Sequence, residues 1–191
     1  MANIKILERE TLSDKKYRLE NIRFNITDSA GKEQEQSREI YFRPDGAVLL
    51  LYNLKNKTML FTRQFRLVAG LRGPENEILE ACAGIIDPGE SPEEAAIREG
   101  EEELGYRVDS VEKIMSAYST PGGVTEMIHF FIGEYHEGMK VNGGGGVEHE
   151  GEDIEIVELT FEQVRTKLKN KEFNDAKTII LLQHLQIKGI L

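Results

Sequence analysis

Apolar and polar side chains alternate from residue 17 to 26, ending in Ile22, Phe24 and Ile26. A period of two predicts a strand. Asp28-Ser29-Ala30-Gly31-Lys32 reads as a turn, and residues 38–42 as a second strand. This hairpin-like unit has little apolar surface of its own. It is expected to pack on something else, a second subunit being one candidate. Residues 48–52 and 59–66 read as strands around the turn Lys55-Asn56-Lys57, and residues 78–83 as another. The period then lengthens to that of a helix over 92–104. Strands at 114–119 and 127–135 follow, then Gly143-Gly144-Gly145-Gly146 as a flexible loop and a last strand at 154–159. Thr160 with Gln163 fits a capping box opening a helix to Lys169, and Asp175 caps a second helix reaching Ile187. Strands and helices do not alternate strictly. The order predicts an α+β fold, a mixed sheet sandwiched by helices, rather than a doubly wound parallel one. The change of texture near Pro44 divides residues 1–44, a β subdomain, from a main domain over 45–191.

Composition narrows the function. The chain of 191 residues carries 24 Lys and Arg against 34 Asp and Glu, a formal charge of −10. Clustered basic side chains, the footprint of nucleic-acid or anionic-membrane binding, are not expected. The apolar run 47–52 is far short of the ~18 residues of a membrane span. The first residues lack an apolar segment flanked by positive charge, so no secretory signal is expected. The single Cys82 allows no internal disulfide, and a reducing cytoplasm is the expected location.

The 92–104 helix carries the chemistry. Ser91 suits the N-cap, Pro92 the first helical position, Glu94 the return arm of a capping box and Gly105 the C-terminal stop. Glu99, Glu102 and Glu103 stand at i, i+3 and i+4, so they share a face. Near a helix C-terminus these carboxylates repel one another and the dipole. A solvated acidic face is the ordinary reading of such a pattern. A divalent cation relieves the same repulsion, and an all-oxygen set suits Mg²⁺ or Mn²⁺.

The wider spacing favours the cation. Gly84, five residues, Glu90, seven residues, Arg98-Glu99, two residues, Glu102-Glu103, one residue, Gly105 and then Tyr106 resembles the Nudix box position by position. The resemblance implies an α/β/α sandwich and cation-dependent hydrolysis of a nucleoside diphosphate linked to another group. It implies Glu99 and Glu103 as principal metal ligands with catalytic roles, Glu102 assisting, and the Ala83 carbonyl joining them. Arg98 and Glu90 would form an ion pair orienting the helix. Gly100 departs from the pattern, where a small or aliphatic residue is usual. A mid-helix glycine costs ~1 kcal/mol relative to alanine. Close helix packing and a tolerated loss are both open at this point.

Features outside the box point to a branch. Tyr118-Ser119-Thr120-Pro121-Gly122-Gly123-Val124-Thr125-Glu126, with Pro121 sixteen residues past Gly105, resembles the ADP-ribose pyrophosphatase-like branch. That run with Ile128-His129-Phe130-Phe131, and the segments Leu51-Tyr52-Asn53, Thr62-Arg63-Gln64-Phe65-Arg66, Glu80-Ala81-Cys82-Ala83-Gly84 and Gly144-Gly145-Gly146-Val147-Glu148, look like the GDP-mannose pyrophosphatase members. By that likeness Glu152 is the candidate general base and a further metal ligand, with Glu150 as its neighbouring alternative. A mobile glycine run beside such an acid fits a loop that closes on substrate. Tyr17, Arg38, Glu39, Arg66, Glu126 and Lys177 become substrate-contact candidates, Tyr17 by stacking on a base. A homodimer built through the N-terminal unit is implied as well. The expected activity is Mg²⁺-dependent cleavage of GDP-mannose to GMP and mannose 1-phosphate. The alternatives are an ADP-ribose pyrophosphatase and a non-catalytic nucleotide-sugar-binding module.

Overall fold

The computed structural model describes residues 3–147 and 153–191. Contacts divide it into two units, the chain up to Asp45 with Ala117–Ile128, and Gly46–Ser116 with His129–Leu191.

The first unit is built on three antiparallel strands, β1 (Asn3–Asp14), β2 (Arg18–Thr27) and β3 (Glu33–Tyr41), in the order β1-β2-β3. The hydropathy pattern foresaw β2 and the end of β3 but not β1. Ile4, Ile6, Leu7 and Leu12 of β1 are exposed, so no buried face imposes a clean alternation on that segment. The antiparallel ladder with β2, from Asn3–Thr27 to Asp14–Arg18, places it, and cross-strand charges add to that pairing. Arg23 in β2 meets Glu8 of β1 at 2.8 Å and Glu35 of β3 at 3.1 Å. Glu20, buried in the same strand, is held by Arg18 at 3.0 Å and Arg9 at 3.4 Å. A buried carboxylate needs such partners.

The second unit is an α+β sandwich. Its strands are β4 (Gly46–Asn53), β5 (Thr58–Phe65), β6 (Glu77–Glu80), β7 (Cys82–Ile85), β8 (Glu112–Tyr118), β9 (Met127–Glu134) and β10 (Ile154–Thr160). They form one seven-stranded sheet along β10-β5-β4-β9-β8, with β6 on β5 and β7 on β4. Its helices are α1 (Leu67–Gly70), α2 (Pro92–Leu104), α3 (Phe161–Lys169) and α4 (Ala176–Ile187). Leu49 and Leu51 of β4 pack with Ala95, Ala96 and Leu104 of α2. Val48 and Leu50 alternate to the other face, equally inaccessible, and α4 also packs on β4 through a helix that buries Leu181, Leu182 and Leu185. β4 is thus covered on both faces, which explains its unbroken apolar run.

Two readings from sequence change here. The single strand expected over 78–83 is two, because the chain stops pairing with β5 at Glu80 and pairs with β4 from Cys82. The four-residue α1 and a 3₁₀ turn at Glu137–Met139 were not foreseen, being too short to show a period.

Candidate active site

α2 forms where its caps dictate. The Ser91 side chain accepts from Glu94 N–H, and the Glu94 carboxylate accepts from Ser91 N–H at 2.8 Å. Gly105 closes the helix at φ 79°, a left-handed conformation that glycine adopts without penalty. Its buried side reads Ala95, Ala96, Glu99, Gly100, Glu103 and Leu104. The small residues let the helix lie close on β4. A Cβ at Gly100 would sit 3.0 Å from Leu49 Cδ2, so this glycine is a packing position.

The same face carries the two carboxylates inward. Glu99 is 9% exposed and Glu103 1%. Glu103 Oε2 accepts the Ala83 N–H at 3.1 Å. Gly84 makes room for Glu99, since a Cβ there would overlap the Glu99 carboxylate. The Cys82 thiol is pushed well up by burial and by the charge of Glu103, so it stays protonated. Arg98 is the other organiser. Its Nε and Nη2 grip Glu90 at 2.9 and 3.0 Å, and Nη2 also donates to Ile85 O at 3.0 Å. Its Nη1 donates to Glu99 at 2.7 Å and Glu102 at 2.9 Å. Glu90 raises the guanidinium pKa further, and Arg98 in turn holds Glu90 below the usual carboxylate range. Among the described residues no three His, Cys, Asp or Glu side chains are grouped closely enough to hold a metal ion, and Arg98 forks into Glu99 and Glu102.

The donor chemistry fits a hard divalent cation. Arg98 already matches part of the charge at Glu99. Glu99, Glu102 and Glu103 on one helix still bring three carboxylates against one guanidinium, a balance that a divalent cation improves. Oxygen donors in this arrangement suit Mg²⁺ or Mn²⁺. The Gly84 cradle keeps space for Glu99 beside the Ala83 backbone.

The glycine run has a different part from the flexible loop expected of it. Gly145 N–H donates to Glu103 O at 2.9 Å and Gly146 N–H to Glu102 O at 3.1 Å. Val141 N–H donates to Gly105 O at 2.9 Å. These donors satisfy carbonyls that a helix C-terminus leaves orphaned. Gly144, Gly145 and Gly146 reach them with φ of 62°, 103° and 83°. The run is a clamp on the last turn of α2. Glu150 and Glu152, which follow it, lie outside the described residues.

The candidate phosphate contacts of this unit converge on one buried acid that sequence reasoning did not single out. Glu80, 3% exposed, accepts from Arg66 Nε at 2.6 Å and Nη2 at 3.0 Å, and from Lys177 Nζ at 3.4 Å. Glu80 raises the Arg66 pKa. Lys177 also donates to Asp175 Oδ1 at 2.6 Å. Burial pushes the Asp175 carboxyl up, but Lys177 and Thr178 outweigh it and hold it below the ordinary value. The signal available was a lone charge in the apolar stretch Ile78-Leu79-Glu80-Ala81-Cys82-Ala83.

In the N-terminal unit, Tyr17 packs edge-on against Tyr41 at 5.9 Å. The Arg43 guanidinium lies 5.5 Å from the Tyr17 ring and 3.4 Å from Glu126 Oε1. Tyr17 and Glu126 are therefore bridged by Arg43, a residue the sequence did not single out. Arg38 and Glu39 are exposed on β3, Arg38 donating to Ser37 O at 2.7 Å and Gln36 Oε1 at 3.0 Å.

Against known proteins, residues 42–182 match the NUDIX domain model, and residues 3–41 match the GDP-mannose pyrophosphatase NudK N-terminal domain. The chain belongs to the Nudix hydrolase family, whose members generally use divalent metal ions. The GDP-mannose pyrophosphatase of Cronobacter sakazakii is 42% identical over 190 residues, covering 99% of this chain and 98% of its own. That of Escherichia coli is 43% identical over 189 residues, 98% and 97% of the two chains. A crystal structure of an ADP compounds hydrolase shares the fold, with a TM-score of 0.71 at 21% identity over 98% of this chain and 97% of that one.

Proposed function

We propose that the chain hydrolyses the diphosphate of a nucleoside diphosphate sugar, with GDP-mannose as substrate and GMP and mannose 1-phosphate as products. The observation that carries this is the pair of inward-facing carboxylates, Glu99 and Glu103, set against Ala83 and Gly84. The full-length likeness to two GDP-mannose pyrophosphatases supports the choice of substrate.

In the reaction, water attacks one phosphorus of the diphosphate. The bridging P–O bond breaks and the departing phosphate keeps its electron pair. Ala83 O, Glu99, Glu102, Glu103 and Glu152 are the groups that would hold magnesium, manganese being the substitute. Divalent cations held there supply charge neutralisation at the diphosphate and a lowered pKa for the attacking water. Glu152, with Glu150 as the alternative, takes the proton of that water. Arg66 and Lys177 lend positive charge to the diphosphate, and Glu80 restricts where they reach. Tyr17 stacks on the base, steadied by Arg43, while Arg38, Glu39 and Glu126 contact the rest of the substrate.

The same reading assigns residues 1–44 to a β subdomain and 45–191 to the hydrolase domain. It makes the exposed apolar side chains of β1 the seam of a homodimer. It also places the enzyme in the cytoplasm, acting on a small molecule rather than nucleic acid or membrane. Sedimentation finding a fully active monomer refutes the dimer. The activity is tested by GMP release from GDP-mannose in Mg²⁺, for wild type and E103Q. Turnover by wild type and its loss in E103Q is expected. E103Q at wild-type rate refutes the site.

A further inference from the structure

Ala81 sits at the point where the chain leaves β5 and joins β4, between Glu80 and the Cys82–Ile85 strand. A backbone N–H at such a switch has no place in either ladder, and burial makes an unpaired one costly. Here it donates to Thr178 Oγ1 at 2.7 Å, with Ala81 and Thr178 both inaccessible. The hydroxyl is itself oriented. It donates to Asp175 Oδ2 at 2.7 Å, and the same oxygen accepts Thr178 N–H at 2.8 Å, closing the N-cap of α4. A carboxylate only accepts, so the hydroxyl proton points to Asp175 and its lone pair is left for Ala81. The circuit returns through Asp175 Oδ1, Lys177 at 2.6 Å and Glu80 at 3.4 Å, the residue bonded to Ala81.

We infer that Thr178 is a positioning residue of this active site. Its hydroxyl fixes the crossover at Ala81, and through that one point sets two things. One is Glu80, which aims Arg66 and Lys177. The other is Ala83, two residues on, whose N–H meets Glu103 and whose carbonyl is a candidate ligand. The N-terminus of α4 is thereby coupled to the start of the box, although Thr178 touches neither substrate nor reacting atoms. The inference rests on the proposed reading of Glu99, Glu103 and Ala83 as the cation site.

Valine has the shape of threonine without the hydroxyl, so T178V removes this contact at nearly constant volume. Mn²⁺ binding to the full-length protein without substrate, followed by calorimetry or by the spin resonance of free Mn²⁺, is the first readout. Supporting groups behind metal ligands are worth ~10–100-fold in affinity or activity, so the T178V dissociation constant for Mn²⁺ rises about 10-fold. The KM for GDP-mannose rises with it as Arg66 and Lys177 lose their aim, and T178S, which keeps the hydroxyl, restores both. If T178V yields no folded protein, T178A is read against T178S in the same way. Mn²⁺ affinity and KM at wild-type values, with only a lower melting temperature, would show a purely structural threonine and overturn the inference alone. A wild-type chain that binds no Mn²⁺ overturns the site reading and this inference with it.

Discussion

Gly84 is the position where the smallest chemical change should have the largest functional effect. Its backbone is not left-handed, so alanine is not excluded by φ. The obstacle is Glu99. A Cβ at residue 84 would overlap the carboxylate carbon and both oxygens, whereas ordinary contact begins near 3.4 Å. In G84A the Glu99 carboxylate must therefore move by more than an ångström. Misplacing a catalytic group by ~1 Å costs ~10²-fold in rate. Stability falls much less. Overpacking costs ~1–3 kcal/mol, partly offset by the ~0.4–1 kcal/mol that a Gly→Ala change gains by restricting the unfolded chain. At ~2–4 °C per kcal/mol for a chain of this size, the melting temperature drops by only a few degrees. The assay is initial-rate GMP release in Mg²⁺ beside a thermal melt, with G73A as control, where nothing lies within 4 Å of the added methyl. Folded G84A turning over within about twofold of wild type would refute the reasoning, because Glu99 would then not need its place.

Other outcomes follow from the same geometry. In G100A the ~1 kcal/mol of helix propensity gained is outweighed by ~1–3 kcal/mol of overpacking against Leu49, and urea unfolding should find the variant less stable, with L49V/G100A recovering the loss. G144A combines a left-handed φ of 62° with a Cβ 2.6 Å from Glu103 O. It should cost roughly 2 kcal/mol or more in the same experiment, since the left-handed region alone costs ~1–2 kcal/mol for an L-residue. Asp175 titrates below its ordinary value of 3.8 in the folded chain, so its contribution to stability is present above that pH and is lost as pH falls through the folded-state pKa. The melting-temperature gap between wild type and D175N should stay level from about pH 7 to about pH 5 and narrow below 3.8. A gap that widens on acidification would contradict the pairing with Lys177 and Thr178.

The three longer helices were the most legible part of the sequence, because each announces its start with a side chain that caps it, whereas α1 has no such cap. Ser91 and Glu94, Thr160 and Gln163, and Asp175 all make the capping bonds their spacing suggests. The box glutamates were legible for the same reason: a 3.6-residue period fixes which of them share a face. What stayed hidden depends on partners distant in the chain. The break at Ala81 is a change of neighbouring strand, which leaves no mark on an apolar run. β1 is held by its backbone ladder with β2 on an exposed surface, so it shows no buried stripe. Four glycines read as freedom, yet the positive φ values of Gly144, Gly145 and Gly146 are what let the backbone turn its N–H groups onto the end of α2. Arg66 and Lys177 read as separate cations, and only the fold reveals that Glu80 holds both.

The most direct test is product analysis on a pair of substrates. The protein is incubated with Mg²⁺ and either GDP-mannose or ADP-ribose, and the nucleotides are separated against time. Fastest formation of GMP with mannose 1-phosphate, abolished by chelating the cation, is the expected result. GDP and free mannose, faster release of AMP from ADP-ribose, or turnover that survives chelation would each contradict the account.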